Sequence, residues 1–215
     1  RYDLLNHTLS VNIDRIWRRR AVNEVRRANP RRILDVATGT GDLAIALARR
    51  IRDVQVMGVD LSEEMLAVAR RKVEARGLDS RIVLERGDAE HLEVADASVD
   101  AATVAFGVRN FGDLAAGLRE LARTIRPGGK VVILEFSRPR NRVFRALYEF
   151  YSYKILPRIG GLVSRDKRAY EYLPASVGEF PAPAEFLGMM EKAGFRNCRA
   201  KSQSCGIAQI YIGER

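Results

Sequence analysis

The run Arg32-Ile-Leu-Asp35-Val-Ala-Thr-Gly39-Thr-Gly41-Asp42 passes from a short apolar segment into a glycine turn with only Asp35 between them. Asn29-Pro30 ends what precedes it, so residues 32 to 37 predict a buried strand. Glycines let a backbone approach a ligand closely, and a helix starting directly after the turn offers it unpaired N–H groups. Asp42 is placed to cap that helix, which the pattern carries to Arg50. Strand, glycine turn and helix in this order imply a site for a nucleotide-like ligand.

Outward from this unit the same alternation repeats. Gln55 to Val59 reads as a second strand ending in Asp60; Ser62 caps a helix running to about Arg76, where Gly77 stops it. Arg81 to Glu85 predicts a third strand leading into Gly87-Asp88-Ala89, and Val99 to Phe106 a fourth. Leu114 to Ile125 reads as helix, Arg126-Pro127-Gly128-Gly129 as a turn, and Lys130 to Phe136 as a fifth strand. Such spacing gives an α/β fold, a doubly wound and mostly parallel sheet with helices on both faces. A helix from Pro181 to Ala193 and an antiparallel pair, Phe195 to Lys201 with Cys205 to Ile212, close the chain.

Two segments stand outside the alternation. Leu4, Leu5, Leu9, Ile13, Ile16, Trp17 and Val22 recur at helical spacing and predict one or two amphipathic lid helices within residues 1–29. Residues 138–180 interrupt the repeat with an aromatic and aliphatic insertion, including Phe144, Tyr148, Phe150, Tyr151 and Tyr153, expected to be helical and to cover a substrate. A single domain is expected, with a core at 30–137 and a closing unit at 181–215.

The 215 residues, 47% of them hydrophobic, suffice for one continuous core. Apolar runs such as Lys130 to Phe136 are far shorter than the roughly 20 residues a membrane-spanning helix needs. The start at Arg1 rather than Met leaves room for a lost N-terminal segment. Cys198 and Cys205 match neither a zinc spacing nor a redox pair and read as reduced thiols. Lys+Arg 37 against Asp+Glu 27 gives a formal charge of +10, which attracts nucleic acid, anionic lipid or acidic partners. The densest group, Arg15, Arg18, Arg19, Arg20, Arg26, Arg27, Arg31 and Arg32, reads most simply as a solvated helix face.

Gly39-x-Gly41-x-x-Ala44 with Asp60 about 20 residues on also fits a dinucleotide fingerprint, so the loop alone leaves NAD and S-adenosylmethionine both open. Three features favour S-adenosylmethionine. Asp35 at the strand end suits a ligand's ammonium and would repel a pyrophosphate. Asp60 offers acceptors to both ribose hydroxyls, and Asp88 to an adenine amino group. The antiparallel closing pair, finally, replaces the parallel strand with which a dinucleotide domain usually continues. The expected architecture is that of class I S-adenosylmethionine-dependent methyltransferases.

Over essentially its whole length the chain also resembles the menaquinone and ubiquinone biosynthesis C-methyltransferases. The similarity lies in Tyr2-Asp3-Leu4-Leu5-Asn6 with Ser10, Asp14 and Trp17, where the family has Met for Leu5 and His for Asp14. It continues in Arg123-Thr-Ile-Arg126-Pro-Gly-Gly-Lys-Val-Val-Ile-Leu-Glu135-Phe-Ser137, Phe106-Gly-Val-Arg109-Asn110, Leu156-Pro157-Arg158-Ile159-Gly160 and Tyr170-Glu-Tyr172-Leu-Pro174-x-Ser176. The resemblance implies cofactor contacts at Thr40, Asp60, Asp88 and Ala89, and at Ala105, where some relatives have Ser. With Asp35, Gly39 and Gly41 from the loop, these make the cofactor-binding set. It further implies transfer of the sulfonium methyl to a ring carbon of a polyprenyl hydroquinone, demethylmenaquinol first and a methoxybenzoquinol as the alternative.

Ring C-methylation needs an electron-rich carbon in line with the S–CH3 bond, and a cation near a ring hydroxyl favours the phenolate. Arg109 is the candidate cation, with Asn110 and Tyr172 orienting the ring. His91 reads as a surface residue, and for His7 on the N-terminal helix a pocket-facing position is the less favoured reading. Other expectations are a cytoplasmic protein with peripheral contact to an anionic membrane, no nucleic acid and no metal, and a homodimer as a candidate assembly. A nucleic-acid methyltransferase is disfavoured because no Asn-Pro-Pro-Tyr or Pro-Cys motif is present; a non-enzymatic binding module is the other rival, which measurable turnover of S-adenosylmethionine would exclude.

Overall fold

Residues 13–139 and 177–215 are described in the computed structural model. The N-terminal pattern before Ile13, most of the 138–180 insertion, His7 and Tyr172 lie outside the described residues. Seven strands form one sheet in the order β3-β2-β1-β4-β5-β7-β6. They are β1 (Arg32–Val36), β2 (Gln55–Asp60), β3 (Ile82–Arg86), β4 (Val99–Ala105), β5 (Ile125–Phe136), β6 (Arg196–Gln203) and β7 (Ala208–Glu214). The first five pair in parallel, while β7 runs antiparallel to β5 and β6 antiparallel to β7. The closing pair is therefore as expected.

Chain direction across the sheet sets where a ligand can enter. From β1 the chain moves outward through β2 to β3 and then returns to place β4 on β1's other side. Neighbouring connections leave β1 and β4 toward opposite faces, which opens a crevice at their carboxyl ends. On one face lie α1 (Asp14–Arg26), α2 (Asp42–Arg50) and α3 (Glu63–Glu74); on the other lie α4 (Leu114–Thr124) and α5 (Pro183–Lys192). The central strands β1 and β4 are buried on nearly every position, as sequences rich in Ile, Leu, Val and Ala require of strands covered on both faces.

α1 is the part of the N-terminal helical pattern that lies within the described residues. Its Trp17, Ala21, Val22 and Val25 are buried, and Trp17 Nε1 donates to Ser204 Oγ at 3.0 Å in the short turn before β7. Arg20 donates to Gln203 at 2.6 Å and Lys201 to Glu24 at 2.9 Å, so the helix is held to the β6–β7 end of the sheet. At the amino ends of the strands, Asp100 accepts from the backbone N–H groups of Arg31 (2.6 Å) and Arg32 (2.8 Å) and pairs with Arg126 at 2.9 Å.

Two local expectations need correction. Asp42 does not cap α2: the N-cap is Gly41 in a left-handed conformation, and the Asp42 carboxylate accepts from Lys72 at 2.9 Å instead. Arg126-Pro127-Gly128-Gly129 is not a turn before β5 but a bulge within it, since Val99 pairs with Ile125 and Ala101 with Lys130. Gly128, at φ +80°, lets the bulge fold out. Ser62, by contrast, does cap α3 by accepting from Met65 N at 3.3 Å. Ser62→Ala is expected to remove about 1 kcal/mol of stability, read as a small fall in Tm with two-state unfolding retained.

β3 and β6 are the sheet's edges. Along β6 run Arg196, Arg199 and Lys201, and the register shifts between Arg196 and Arg199 where Asn197 takes φ +52°.

Candidate active site

A cavity of about 330 Å³ lies at the carboxyl ends of β1 and β4, walled by Asp35, Gly39, Thr40, Asp60, Ala105 and Arg109 among others. A second, of about 290 Å³, continues past β2 to Asp88, Ala89 and Phe111. Ala37, Asp60, Ser62, Gly107 and Asn110 line both, which makes one crevice with Asp60 at its waist. All of the expected cofactor contacts except Gly41 line it.

The crevice exists because the loops cross very closely. Ala37 and Phe106, ending β1 and β4, take left-handed conformations at φ +52° and +60°. A Cβ on Gly107 would stand 2.5 Å from the Ala37 Cβ, so only glycine permits this approach. Gly41 serves packing instead: at φ +79° it brings the loop to α3, where an added Cβ would be 3.1 Å from the Ala69 Cβ. Strain gathered at loop ends beside a cavity is usual at binding sites.

Asp60 shapes the loop from below. Its Oδ2 accepts from Gly39 N at 2.7 Å and its Oδ1 from Ser62 N at 2.9 Å. A carboxylate oxygen has two acceptor sites, so each can still take one hydroxyl from the cavity. Asp35 is buried and accepts from Thr38 at 2.6 Å and Thr103 at 2.5 Å. Burial outweighs those two bonds and pushes its carboxyl up to about 6. Asp88 is partly exposed; its Oδ1 accepts from Glu90 N at 2.9 Å, and Ala89 beside it is buried.

Arg109 lines the first cavity, but its charge is not unopposed as expected. Its guanidinium pairs with Glu135 at 2.7 Å, donates to the Phe106 carbonyl at 2.6 Å and lies 5.6 Å from the centroid of the Phe136 ring. The pair is buried, with side chains 5% and 0% exposed, so it presents a dipole rather than a net positive charge. Arg109 Nε is buried and has no hydrogen-bond partner among the described residues. Asn110 lines both cavities, and His91 is exposed on the surface as expected.

Several contributors escaped the sequence reading. Glu135 was seen only as part of a motif, and Thr38 and Thr103 gave no signal because their partner, Asp35, is brought to Thr103 by strand pairing alone. Lys72 from α3 reaches Thr40 Oγ1 at 2.7 Å and so braces the loop. Arg18 lines the cavity from α1, pairs with buried Asp14 and lies 5.3 Å from the centroid of the Phe106 ring. Asp14, the residue at the family's His position, thus faces a cation one turn on; the i, i+4 spacing was a usable signal. Trp17, Phe106 and Phe136 form an aromatic cluster beneath this wall. Cys198, half-buried and pushed up to about 11 by burial, is no thiolate nucleophile.

Comparison with known proteins agrees with this geometry. The model of the ubiE/COQ5 methyltransferase family matches residues 1–215. The ubiquinone/menaquinone biosynthesis C-methyltransferase of Geobacter sulfurreducens is 48% identical over 100% of this chain and 84% of its own length. The demethylmenaquinone methyltransferase of Thermus thermophilus is 48% identical over 100% of this chain and 96% of its own. Among solved structures, a SAM-dependent methyltransferase from Aquifex aeolicus superposes with a TM-score of 0.62 at 20% identity, covering 86% of this chain and 82% of that one. An O-methyltransferase family protein from Burkholderia thailandensis gives 0.71 at 19% identity, over 96% and 57%. These structural likenesses establish the fold.

Proposed function

Because the chain belongs to the ubiE/COQ5 methyltransferase family, we propose that its crevice binds S-adenosylmethionine and methylates a ring carbon of a polyprenyl hydroquinone, demethylmenaquinol in the first instance. The observation that carries this is Asp60, half-buried at the waist of the crevice with both oxygens anchored by backbone N–H groups and still able to accept a vicinal diol. Asp35 takes the ligand's ammonium at one end, and Asp88 and Ala89 take the adenine at the other.

S-adenosylmethionine supplies an electrophilic methyl group. The protein's residues do the rest. Asn110, between the two cavities, and Tyr172 orient the ring, and Arg109, which lines the first cavity, stabilises a ring oxygen as that oxygen gains negative charge. The new carbon–carbon bond forms as the S–CH3 bond breaks, and the ring proton at that carbon then leaves to restore aromaticity. The strained loops at Ala37 and Phe106 hold these groups in place before the ligands arrive.

Head-group choice is tested by assaying the pure protein with demethylmenaquinol and a methoxybenzoquinol side by side. Faster turnover of demethylmenaquinol is expected, and absence of turnover on both would overturn the assignment. For the substrate's membrane home, we propose peripheral contact with an anionic bilayer at the cytoplasmic surface. None of the helices among the described residues is long and apolar enough to cross a membrane.

The Asp35 carboxyl sits above its ordinary 3.8, at about 6, because burial disfavours the anion. The sign follows. Above about pH 6 the group is charged and attracts the ammonium; below it, the neutral acid does not. Affinity for S-adenosylmethionine is therefore expected to fall about tenfold between pH 7 and pH 5, measured by calorimetry. In Asp35→Asn that slope disappears, and a wild-type affinity flat across this range would refute the ammonium contact.

A further inference from the structure

Beside the crevice, and sharing Arg18 and Asp42 with it, lies a groove of about 680 Å³ between α1 and α2. Arg15, Arg49, Arg50 and Arg76 also line it. Asp42 is the carboxylate among the described lining residues, and it is already held by Lys72. Among the described residues Arg15, Arg49 and Arg50 are exposed and have no ion pair, whereas Arg18, Arg27, Arg109, Arg123 and Arg126 have one. Like charges converging on one groove repel one another, and an anion bound there relieves that repulsion.

α1 adds a second kind of surface. Its buried side carries Trp17, Ala21, Val22 and Val25; turned outward are Arg15, Arg19 and Arg26, and among them Ile13 at 39% and Ile16 at 51% exposure. Of the four large hydrophobic residues exposed in the described residues, two are therefore Ile16 on this helix and Ile13 at its N-cap. Branched apolar side chains bracketed by unpaired arginines suit an interface where phosphates lie above hydrocarbon. Nucleic acid would use the arginines and leave the isoleucines in water.

We propose that the α1–α2 arginine groove, with Ile13 and Ile16 beside it, is the face that docks on an anionic phospholipid bilayer, its arginines on the headgroup phosphates. Docked this way, the adjoining crevice wall at Arg18 stands close to the membrane surface, so a lipid-tailed ring travels a short distance to the methyl donor. This docking rests on the quinol reading above for its purpose, though not for its chemistry.

The test compares wild type, Arg15→Glu/Arg49→Glu/Arg50→Glu, and a control of equal charge change outside the groove, Arg119→Glu/Arg196→Glu/Arg199→Glu. Each is sedimented with vesicles of phosphatidylglycerol in phosphatidylcholine and assayed with a short-chain, water-soluble demethylmenaquinol. The groove variant is expected to lose at least roughly tenfold in vesicle partitioning, the control to lose little, and both to keep wild-type turnover of the soluble quinol. Ile16→Ser is expected to weaken binding to the same vesicles with no change in charge. Groove glutamines in place of glutamates give an intermediate loss, which separates docking from misfolding.

Equal losses in groove and control variants would mean that net charge alone acts, and would overturn the docking face. So would equal wild-type binding to neutral vesicles, tight binding of glycerol phosphate without vesicles, preference for duplex DNA, or a dimer that the groove variant dissociates. A wild type that sediments as expected but turns over neither quinol sinks the catalytic reading and leaves the docking face standing.

Discussion

Arg109→Met is expected to lower the folding free energy by about 3–5 kcal/mol and kcat on the order of 100-fold or more. The stability loss follows from Glu135. With the guanidinium gone, that carboxylate stays fully buried beneath β7 with the Phe136 N–H at 2.8 Å as its nearest partner, an uncompensated charge in a dry interior. Methionine fills much of the stem's volume, so little of the loss comes from packing. The catalytic loss comes from removing the guanidinium at the crevice wall. The two effects separate in Arg109→Met/Glu135→Gln, where no charge is left buried: denaturant unfolding should recover most of the stability while kcat with saturating quinol stays low and rises partly at alkaline pH, as the ring hydroxyl ionises unaided. If the double variant recovers both, Arg109 is a structural partner of Glu135 and the ring is stabilised by something else.

Asp60→Ala is expected to raise the Kd for S-adenosylmethionine by roughly 30- to 150-fold, from about 2–3 kcal/mol of charge-assisted hydrogen bonding. Part of that is contact with the ribose, and part is the loop itself, because Gly39 N and Ser62 N lose the acceptors that fix them. Asp60→Asn separates the parts. One amide oxygen can keep a single backbone bond, so the asparagine variant should lie between wild type and alanine. Calorimetry giving wild-type affinity for Asp60→Ala would remove Asp60 from the ligand.

The contrast between these residues explains what the sequence made legible. Asp60 and Asp35 are readable because each ends a strand predictable from its apolar run, and strand ends in a parallel sheet face one crevice. Glu135 also ends a strand, yet its partner Arg109 lies 26 positions away and their pairing depends on how β4 and β5 align. Such contacts carry no local period. The bulge at residues 126–129 was read as a turn for a related reason: proline and glycine mark a bend, but only the partner strand decides whether pairing resumes in the same strand. Asp42 looked like a cap until Lys72, from the next helix, claimed its carboxylate.

One feature of the sheet's far edge bears on how many molecules can work side by side. β6 leaves a row of backbone groups unpaired, the pattern along which sheets join one another end on end. Arg196, Arg199 and Lys201 and the kink at Asn197 occupy that row. Confinement to a plane raises local concentration steeply, and an approaching second edge meets like charge and a broken register before any ladder can start. At high local concentration this edge is therefore expected to resist joining the edge of another molecule.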